Sequence, residues 1–149
     1  MNRFIQKHLK SLWNFWPPFF FSGIKIISCT PNYQHIVVQL KLRFWNKNFV
    51  GTLYGGSLFS MADPFYMVML IKNLGSSYSV WDKSASISYL KPGRSDVTAE
   101  FNVTEEDLIL IRTTLAQNEK MDWSRVIEIV DSQGTLIAKV QKTISIKKK

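Results

Sequence analysis

The sequence predicts a single α+β domain in which a curved antiparallel sheet wraps around one long, buried helix. Residues 55–74 form a nearly continuous apolar run whose only charged members are Asp63 and Lys72. A helix that is apolar on nearly all sides is normally enclosed by the rest of its domain. The segments around it alternate apolar and polar residues with period two and are separated by turns, which is typical of antiparallel strands. One buried helix needs a sheet curled around it.

The spacing of apolar residues predicts the other elements in order. Residues 3–15 carry apolar side chains at helical spacing with basic residues between them, which predicts an amphipathic N-terminal helix that ends at Pro17 and Pro18. Alternation predicts strands over about 24–27 and 36–43, a hairpin of strands 84–89 and 97–103 around Pro92, and a second hairpin of strands 126–129 and 136–146. Acidic residues after Thr104 predict a short helix over about 104–115.

The aromatic residues around the N-terminal prolines have two interpretations. Residues 13–21 include six exposed-looking aromatics, namely Trp13, Phe15, Trp16, Phe19, Phe20 and Phe21. They form either a lid that packs on the sheet or a surface for membrane or acyl chains. The packing interpretation is the more common outcome, because aromatic side chains bury large areas, usually against their own domain.

Composition excludes several classes of protein. The 149 residues carry a formal net charge of +8, which favours a negatively charged partner. The basic residues are scattered and no nucleic-acid-binding motif is present, so we expect no nucleic acid. The single cysteine, Cys29, cannot form an intramolecular disulfide, and no signal peptide or membrane-length apolar run is present. We therefore expect a cytoplasmic protein without stable membrane insertion.

The start of the central apolar run has features that suggest chemistry. Gly51, Gly55 and Gly56 allow positive φ angles and close approach of a ligand, and a helix start offers unpaired N–H groups to a carbonyl oxygen. Asp63 is the only acid in the run, and a buried carboxylate is costly unless it is hydrogen-bonded or used. Its neighbour Pro64 cannot donate to the carbonyl of Ser60, so we expect a kink or a local opening of the helix there.

These residues resemble a known family. The string Asn48-x-x-Gly51-x-x-Tyr54-Gly55-Gly56, with Asp63 on the following helix, resembles the Asn-x-x-Gly-x-x-His-Gly-Gly turn and helical Asp of phenylacetyl-CoA-type hotdog-fold acyl-CoA thioesterases. The strand 84–92 is similar to that family's strand ending in a Pro turn. The sequence outside these motifs most resembles an uncharacterised bacterial branch of the superfamily. The resemblance covers about residue 20 to the C-terminus and implies a hotdog fold over 1–149.

The resemblance also implies roles for individual residues. Asp63 would be the general base or the nucleophile, and it would lie across a dimer interface from the turn that binds the thioester. The N–H of Gly55 would polarise the thioester carbonyl, while Gly56 would give room for the acyl sulfur. Asn48 would position water or substrate. The remaining candidates for substrate binding are Tyr54, Asp82 and Phe59. Tyr54 stands where the family has His, and Phe59 would lie in the acyl pocket. Asp82 either would orient the attacking water or is a charge at the start of a strand that pairs with Lys83 or another basic residue.

The implied function is hydrolysis of an acyl-CoA or acyl-carrier-protein thioester by a homodimer or homotetramer. No metal and no cofactor is expected beyond the CoA carried by the substrate. Lys91 and Arg94 are candidates for contacts with the phosphates of CoA. The alternative is a non-catalytic hotdog module that binds acyl chains or CoA, because Tyr54 replaces His and Pro64 follows the carboxylate.

Overall fold

A computed structural model describes residues 13–149 of the chain. The strands are β1 (Ile24–Cys29), β2 (His35–Leu40), β3 (Tyr78–Tyr89), β4 (Val97–Asn102), β5 (Lys120–Asp131) and β6 (Leu136–Lys148). The helices are α1 (Pro17–Ser22), α2 (Gly55–Ser60), α3 (Phe65–Leu74) and α4 (Glu105–Gln117). The six strands form one curved antiparallel sheet in the order β1-β2-β4-β5-β6-β3. The amphipathic helix predicted over 3–15 lies largely outside the described residues.

The core lies between α3 and the inner face of the sheet, as predicted. Phe65, Met69 and Leu70 of α3 are fully buried. The ring of Phe65 lies 4.9 Å from that of Phe101 on β4, measured between centroids. These contacts hold the central helix against the middle of the sheet, because the buried residues of α3 lie on one side of the helix and face inward.

The central apolar run forms two helices separated by a break at residues 61–64. Pro64 is the residue before α3, and α2 ends at Ser60. The kink predicted at Pro64 is therefore confirmed, since proline lacks the N–H that a continuous helix would need there. Asp63 consequently lies in the break, whereas the sequence placed it within the helix.

The predicted hairpin of strands 84–89 and 97–103 is wrong. Within the described chain β3 pairs with β6, whereas β4 lies between β2 and β5. Gly93 in the connection packs closely against Leu53 instead of forming a hairpin turn: a Cβ on Gly93 would lie 2.9 Å from the Leu53 Cδ1. The predicted hairpin of β5 and β6 is confirmed, and β1 pairs with β2.

A β-bulge in β3 decides which side chains face the helices. The register with β6 shifts between Asp82 and Ser84, so Asp82 lies opposite Ile144 and Ala85 lies opposite Lys142. The extra residue places Asp82 and Ala85 on the same inner face, although an unbroken strand would put them on opposite faces. Asp82 thus faces inward in regular alternation with the buried Val80, and the bulge brings Ala85 into the same phase.

The aromatic residues near the N-terminus are divided between core and surface. Phe19 of α1 is buried, whereas Phe15, Phe20 and Phe21 are exposed. The packing interpretation therefore holds for Phe19 and is wrong for the other three. Among residues 13–149, no helix is long and apolar enough to span a bilayer.

Candidate functional site

The turn before α2 is built by the side chain of Asn48. Its Oδ1 accepts hydrogen bonds from the N–H groups of Val50 and Thr52, at 3.1 and 3.0 Å, and its Nδ2 donates to the Thr52 hydroxyl at 2.8 Å. Asn48 therefore shapes the loop, and Gly51 adopts φ +82° within it. In this conformation the polar atoms of Asn48 are directed at its own loop, so positioning of water or substrate is not its visible role.

Two tyrosine rings pack on the glycine pair that starts α2. A Cβ on Gly56 would lie 2.3 Å from Cε1 of Tyr54, and one on Gly55 would lie 3.0 Å from the Tyr89 ring. The Tyr89 hydroxyl donates to the Gly55 carbonyl oxygen at 3.1 Å. Neither glycine has a positive φ, so the expectation of positive φ holds for Gly51 and is wrong for this pair. Glycine is needed here because the rings approach closely.

The glycine pair lines an open groove of about 580 Å³. The groove brings together four sequence-predicted residues and one candidate for phosphate contact: Asn48, Tyr54, Gly55 and Gly56, with Lys91. Within the described residues, no acceptor takes the N–H of Gly55 or Gly56. These two donors point away from the helix, as the first N–H groups of any helix do.

Asp63 belongs to a different part of the surface. It lines a cavity of about 310 Å³ with Phe59, Ser60, Pro64 and four residues of the α1 region. This cavity shares no lining residue with the glycine groove. The length of α2, about 8 Å at its rise of 1.5 Å per residue, lies between them. A single chain therefore brings Phe59 to Asp63 but does not bring Asp63 to Gly55.

A buried lysine joins the two candidate aspartates. The side chain of Lys142 on β6 is 2% exposed, and its Nζ donates to the Asp63 carboxylate at 2.8 Å and to the Asp63 carbonyl oxygen at 2.6 Å. The same Nζ lies 3.1 Å from the Asp82 carboxylate. Three acceptors match the three N–H bonds of an ammonium group. Lys142 therefore fixes both carboxylates and closes the break between α2 and α3.

The two carboxylates differ in their surroundings. The side chain of Asp63 is 69% exposed, so an anchored carboxylate meets solvent. Asp82 is more enclosed, and its Oδ1 is buried with no partner among the described residues. Burial raises the pKa of Asp82 above its usual range, and the hydrogen bond and charge of Lys142 oppose that shift.

Lys142 is the site residue that sequence reasoning missed. The signal was in the strand: Val140, Lys142, Ile144 and Ile146 occupy alternate positions, so the lysine falls in the apolar phase of β6. A charge at a core-facing strand position requires a buried partner. Among the described residues, no group of three or more His, Cys, Asp or Glu side chains is placed to hold a metal ion.

Comparison with known proteins identifies the family. Residues 6–146 match the model of a family described as a domain of unknown function, DUF4442. The chain belongs to this family. No curated protein sequence matches it.

Solved structures share the fold of this DUF4442 chain. A protein of unknown function from Pseudomonas aeruginosa, described as a probable thioesterase, superposes with a TM-score of 0.82 at 18% identity, covering 100% of this chain and 97% of that one. A thioesterase from Haemophilus influenzae gives 0.68 at 18% identity, covering 99% and 93%. The PaaI protein from the phenylacetic acid degradation operon of E. coli gives 0.65 at 20% identity, covering 96% and 91%.

These neighbours establish the hotdog fold predicted from the glycine turn and the central helix. The sequence identity between these proteins and the chain is too low for a shared activity to be inferred, so the comparison establishes the fold alone. The chain has a thioesterase-like hotdog fold.

Proposed function

We propose that the chain hydrolyses an acyl-CoA or acyl-carrier-protein thioester, with Asp63 as general base or nucleophile. One observation carries this proposal: the Asp63 carboxylate is exposed to solvent while a fully buried lysine holds it in place. A carboxylate in a structural ion pair needs no such exposure. A carboxylate that acts on water or on a thioester needs both a fixed position and access to substrate.

The glycine turn supplies the second part of the mechanism. In the proposed reaction, the N–H of Gly55 donates to the thioester oxygen, and the negative charge that develops there is stabilised by this donor and by the start of α2. In the first route Asp63 takes a proton from the attacking water and passes it to the thiolate of CoA as that group leaves. In the second route Asp63 attacks the carbonyl carbon, the thiolate leaves, and a water then hydrolyses the acyl-Asp63 anhydride and supplies the proton that the thiolate takes up. Lys91 at the groove contacts the phosphates of CoA, and Phe59 beside Asp63 contacts the acyl group. The reaction uses no metal and no separate cofactor.

Two copies of the chain are needed to assemble this site. Asp63 and the glycine groove are separate in one chain, and β3 is an edge strand of the sheet whose residues 83–86 are exposed on both faces. A long exposed edge strand is a template for pairing with another strand. We propose that two chains associate through β3, as a homodimer or within a homotetramer, so that Asp63 of one protomer faces the glycine turn of its partner. The assembly is cytoplasmic.

The second candidate function is a non-catalytic module that binds acyl chains or CoA. The position of Tyr54 favours it, because the ring lies over Gly56 where the thioester would approach. Since Tyr54 is 58% exposed, its ring has room to rotate when a ligand enters. Both candidate functions include binding of an acyl-CoA or acyl chain, and only the thioesterase releases free thiol. A turnover assay therefore distinguishes them.

Release of free thiol from short, long and aromatic acyl-CoAs tests the proposal. We expect wild type to turn over at least one substrate and Asp63→Asn to lose activity by about 100-fold or more, the typical contribution of a general base. The control is Glu128→Gln, which removes the same charge from an exposed pair with Lys139 and should retain activity. Turnover unchanged in Asp63→Asn would exclude Asp63 as the base. Absence of turnover in wild type, with acyl-CoA binding present, would favour the binding module.

The arrangement across two protomers has its own test. Co-expression of Asp63→Asn with a Gly56→Val chain gives heterodimers with one intact site, because each site takes its aspartate and its turn from different chains. Activity should therefore return in the mixture, although each variant alone is inactive. If the mixture stays inactive while heterodimers form, Asp63 and the turn do not act across the interface.

A further inference from the structure

A group of exposed aromatic side chains lies on one side of the molecule, on α1 and the segments beside it. Phe15, Phe20, Phe21, Phe44 and Trp45, here called the aromatic patch, are between 54% and 84% exposed. Single exposed apolar residues are normal on a protein surface, whereas contiguous groups of large ones mark interaction sites. The patch is therefore a candidate for contact with another molecule.

Hydrogen bonds hold the aromatic patch in a defined shape. The indole Nε1 of Trp45 donates to the Phe21 carbonyl oxygen at 3.0 Å, and Nδ2 of the buried Asn46 donates to the Ser22 carbonyl oxygen at 2.9 Å. These two bonds tie the loop that carries Trp45 to α1. The ring centroids of Phe20 and Phe21 lie 5.5 Å apart, at nearly right angles. The aromatic patch is thus built by the fold and is not a set of independent side chains.

Basic side chains border the aromatic patch. Lys25, Lys41 and Arg43 line a groove of about 440 Å³ together with Phe20 and Trp45. The lining contains no Asp or Glu. Aromatic rings beside cations, without acids, are suited to a partner that offers apolar and negatively charged groups side by side.

We propose that the aromatic patch and its three cations dock on the surface of an anionic lipid bilayer. The rings of Phe20, Phe21 and Trp45 enter the boundary between headgroups and acyl chains, where aromatic side chains are favoured. Lys25, Lys41 and Arg43 contact lipid phosphates. Contact is peripheral, in agreement with the absence of a membrane-spanning helix among residues 13–149.

Charge favours a membrane over a second copy of the chain. In a two-fold symmetric contact the same patch meets itself, so Lys25, Lys41 and Arg43 of one protomer would face those of its partner. Like charges brought together oppose association, and the groove offers no acid to compensate them. The formal net charge of +8 acts in the same direction, toward an anionic surface.

Sedimentation of the full chain with lipid vesicles tests the proposal. We expect binding to mixed phosphatidylcholine and phosphatidylglycerol vesicles, weaker binding at high salt, and little binding to phosphatidylcholine alone. Each basic residue near an anionic surface contributes about fivefold to binding, so Lys25→Gln/Lys41→Gln should lower the partition coefficient about 25-fold. Lys147→Gln/Lys148→Gln removes the same charge from a separate groove, between α4 and the end of β6, and should have a much smaller effect.

The aromatic contribution is tested by Phe20→Ser/Phe21→Ser. This variant should bind anionic vesicles several-fold more weakly than wild type, with unchanged circular dichroism. Failure of wild type to bind anionic vesicles overturns the proposal, as does an equal effect of the two lysine pairs. If Phe20→Ser/Phe21→Ser instead lowers the oligomeric mass in light scattering and leaves vesicle binding unchanged, the patch is an interface between copies and the proposal is wrong.

Discussion

Replacing Lys142 with methionine removes the charge that joins the two aspartates and keeps most of the side-chain volume. Breaking a buried ion pair by removing one partner costs about 3–5 kcal/mol, because a charge is left buried without compensation. In this variant the Asp63 carboxylate, which is 69% exposed, is hydrated by solvent, so the loss of its ion pair with Lys142 contributes little to the change in unfolding free energy. The loss therefore comes from the enclosed Asp82 and from the Asp63 carbonyl oxygen, which places it near the lower limit, about 3 kcal/mol.

This loss is measurable by urea unfolding followed by circular dichroism. For a chain of this length, 1 kcal/mol corresponds to about 2–4 °C in melting temperature, so Lys142→Met should melt about 6–12 °C below wild type. Protomer concentration must be kept constant, because self-association makes apparent stability depend on it. Lys142→Met should also lower thioester turnover, since it releases the carboxylate of Asp63.

Two further variants separate the ion cluster from general loss of a lysine. Lys139→Met on the same strand removes an exposed lysine paired with Glu128 and should change the free energy of unfolding by about 0.5 kcal/mol or less. Lys142→Met/Asp82→Leu replaces both enclosed charges by apolar groups and should recover most of the loss. If Lys142→Met is as stable as Lys139→Met, the cluster does not hold the break between α2 and α3, and the reasoning fails.

Substitutions at the glycine pair, at Asp82 and at the start of α4 test three other arguments. Gly56→Ala should lower the free energy of unfolding by about 1 kcal/mol, the lower limit for added volume, because the exposed Tyr54 ring can rotate away from the new methyl group. Adding Tyr54→Ala to this variant should restore its melting temperature, and a lack of restoration would contradict the contact. Because burial raises the pKa of Asp82, its native form holds a proton longer than its unfolded form as pH rises. The unfolding free energy of wild type minus that of Asp82→Asn should therefore be highest below the ordinary carboxyl pKa and fall as pH rises through the raised value; a difference that grows with pH in urea titrations would refute this. Thr104→Ala removes the hydroxyl that accepts from the N–H of Asp107 at 3.2 Å and should cost about 1 kcal/mol in thermal melting, whereas Thr104→Ser should not; equal losses would contradict the cap.

Local signals predicted most of the fold, including the hairpin of β5 and β6, but not the pairing of strands that are distant in the sequence. The break at Pro64 follows from one missing N–H, and the start of α4 follows from a capping box of Thr104 and Asp107 that is visible in the sequence. The partner of β3 does not follow from its own residues, because alternation shows which side chains share a face and not which strand lies beside them. Adjacency along the chain suggested β4, and the true partner is β6.

The sequence singled out candidate residues for the site but did not predict how they are arranged. A glycine pair before an apolar run marks a site of close approach, but the sequence does not say that Tyr54 and Tyr89 are what approach it. The lysine in the apolar phase of β6 was a readable signal, since a buried charge needs a partner. That the partners are Asp63 and Asp82 depends on the long-range pairing of β3 with β6 and on the packing of the helix break against β6, which no local pattern reveals.

The pairing of β3 with β6 has a consequence for how the chain folds as it is made. Residues 90–135 separate the two strands, and β6 is the last of the described strands. While β1, β2 and β4 can pair early during synthesis, β3 must wait on the ribosome until its partner emerges. Such long-range closure slows folding and leaves an open strand at risk of aggregation. The serines at 84, 86 and 88 make one side of the unpaired strand polar, so that side offers little apolar surface to other chains before β6 pairs with it.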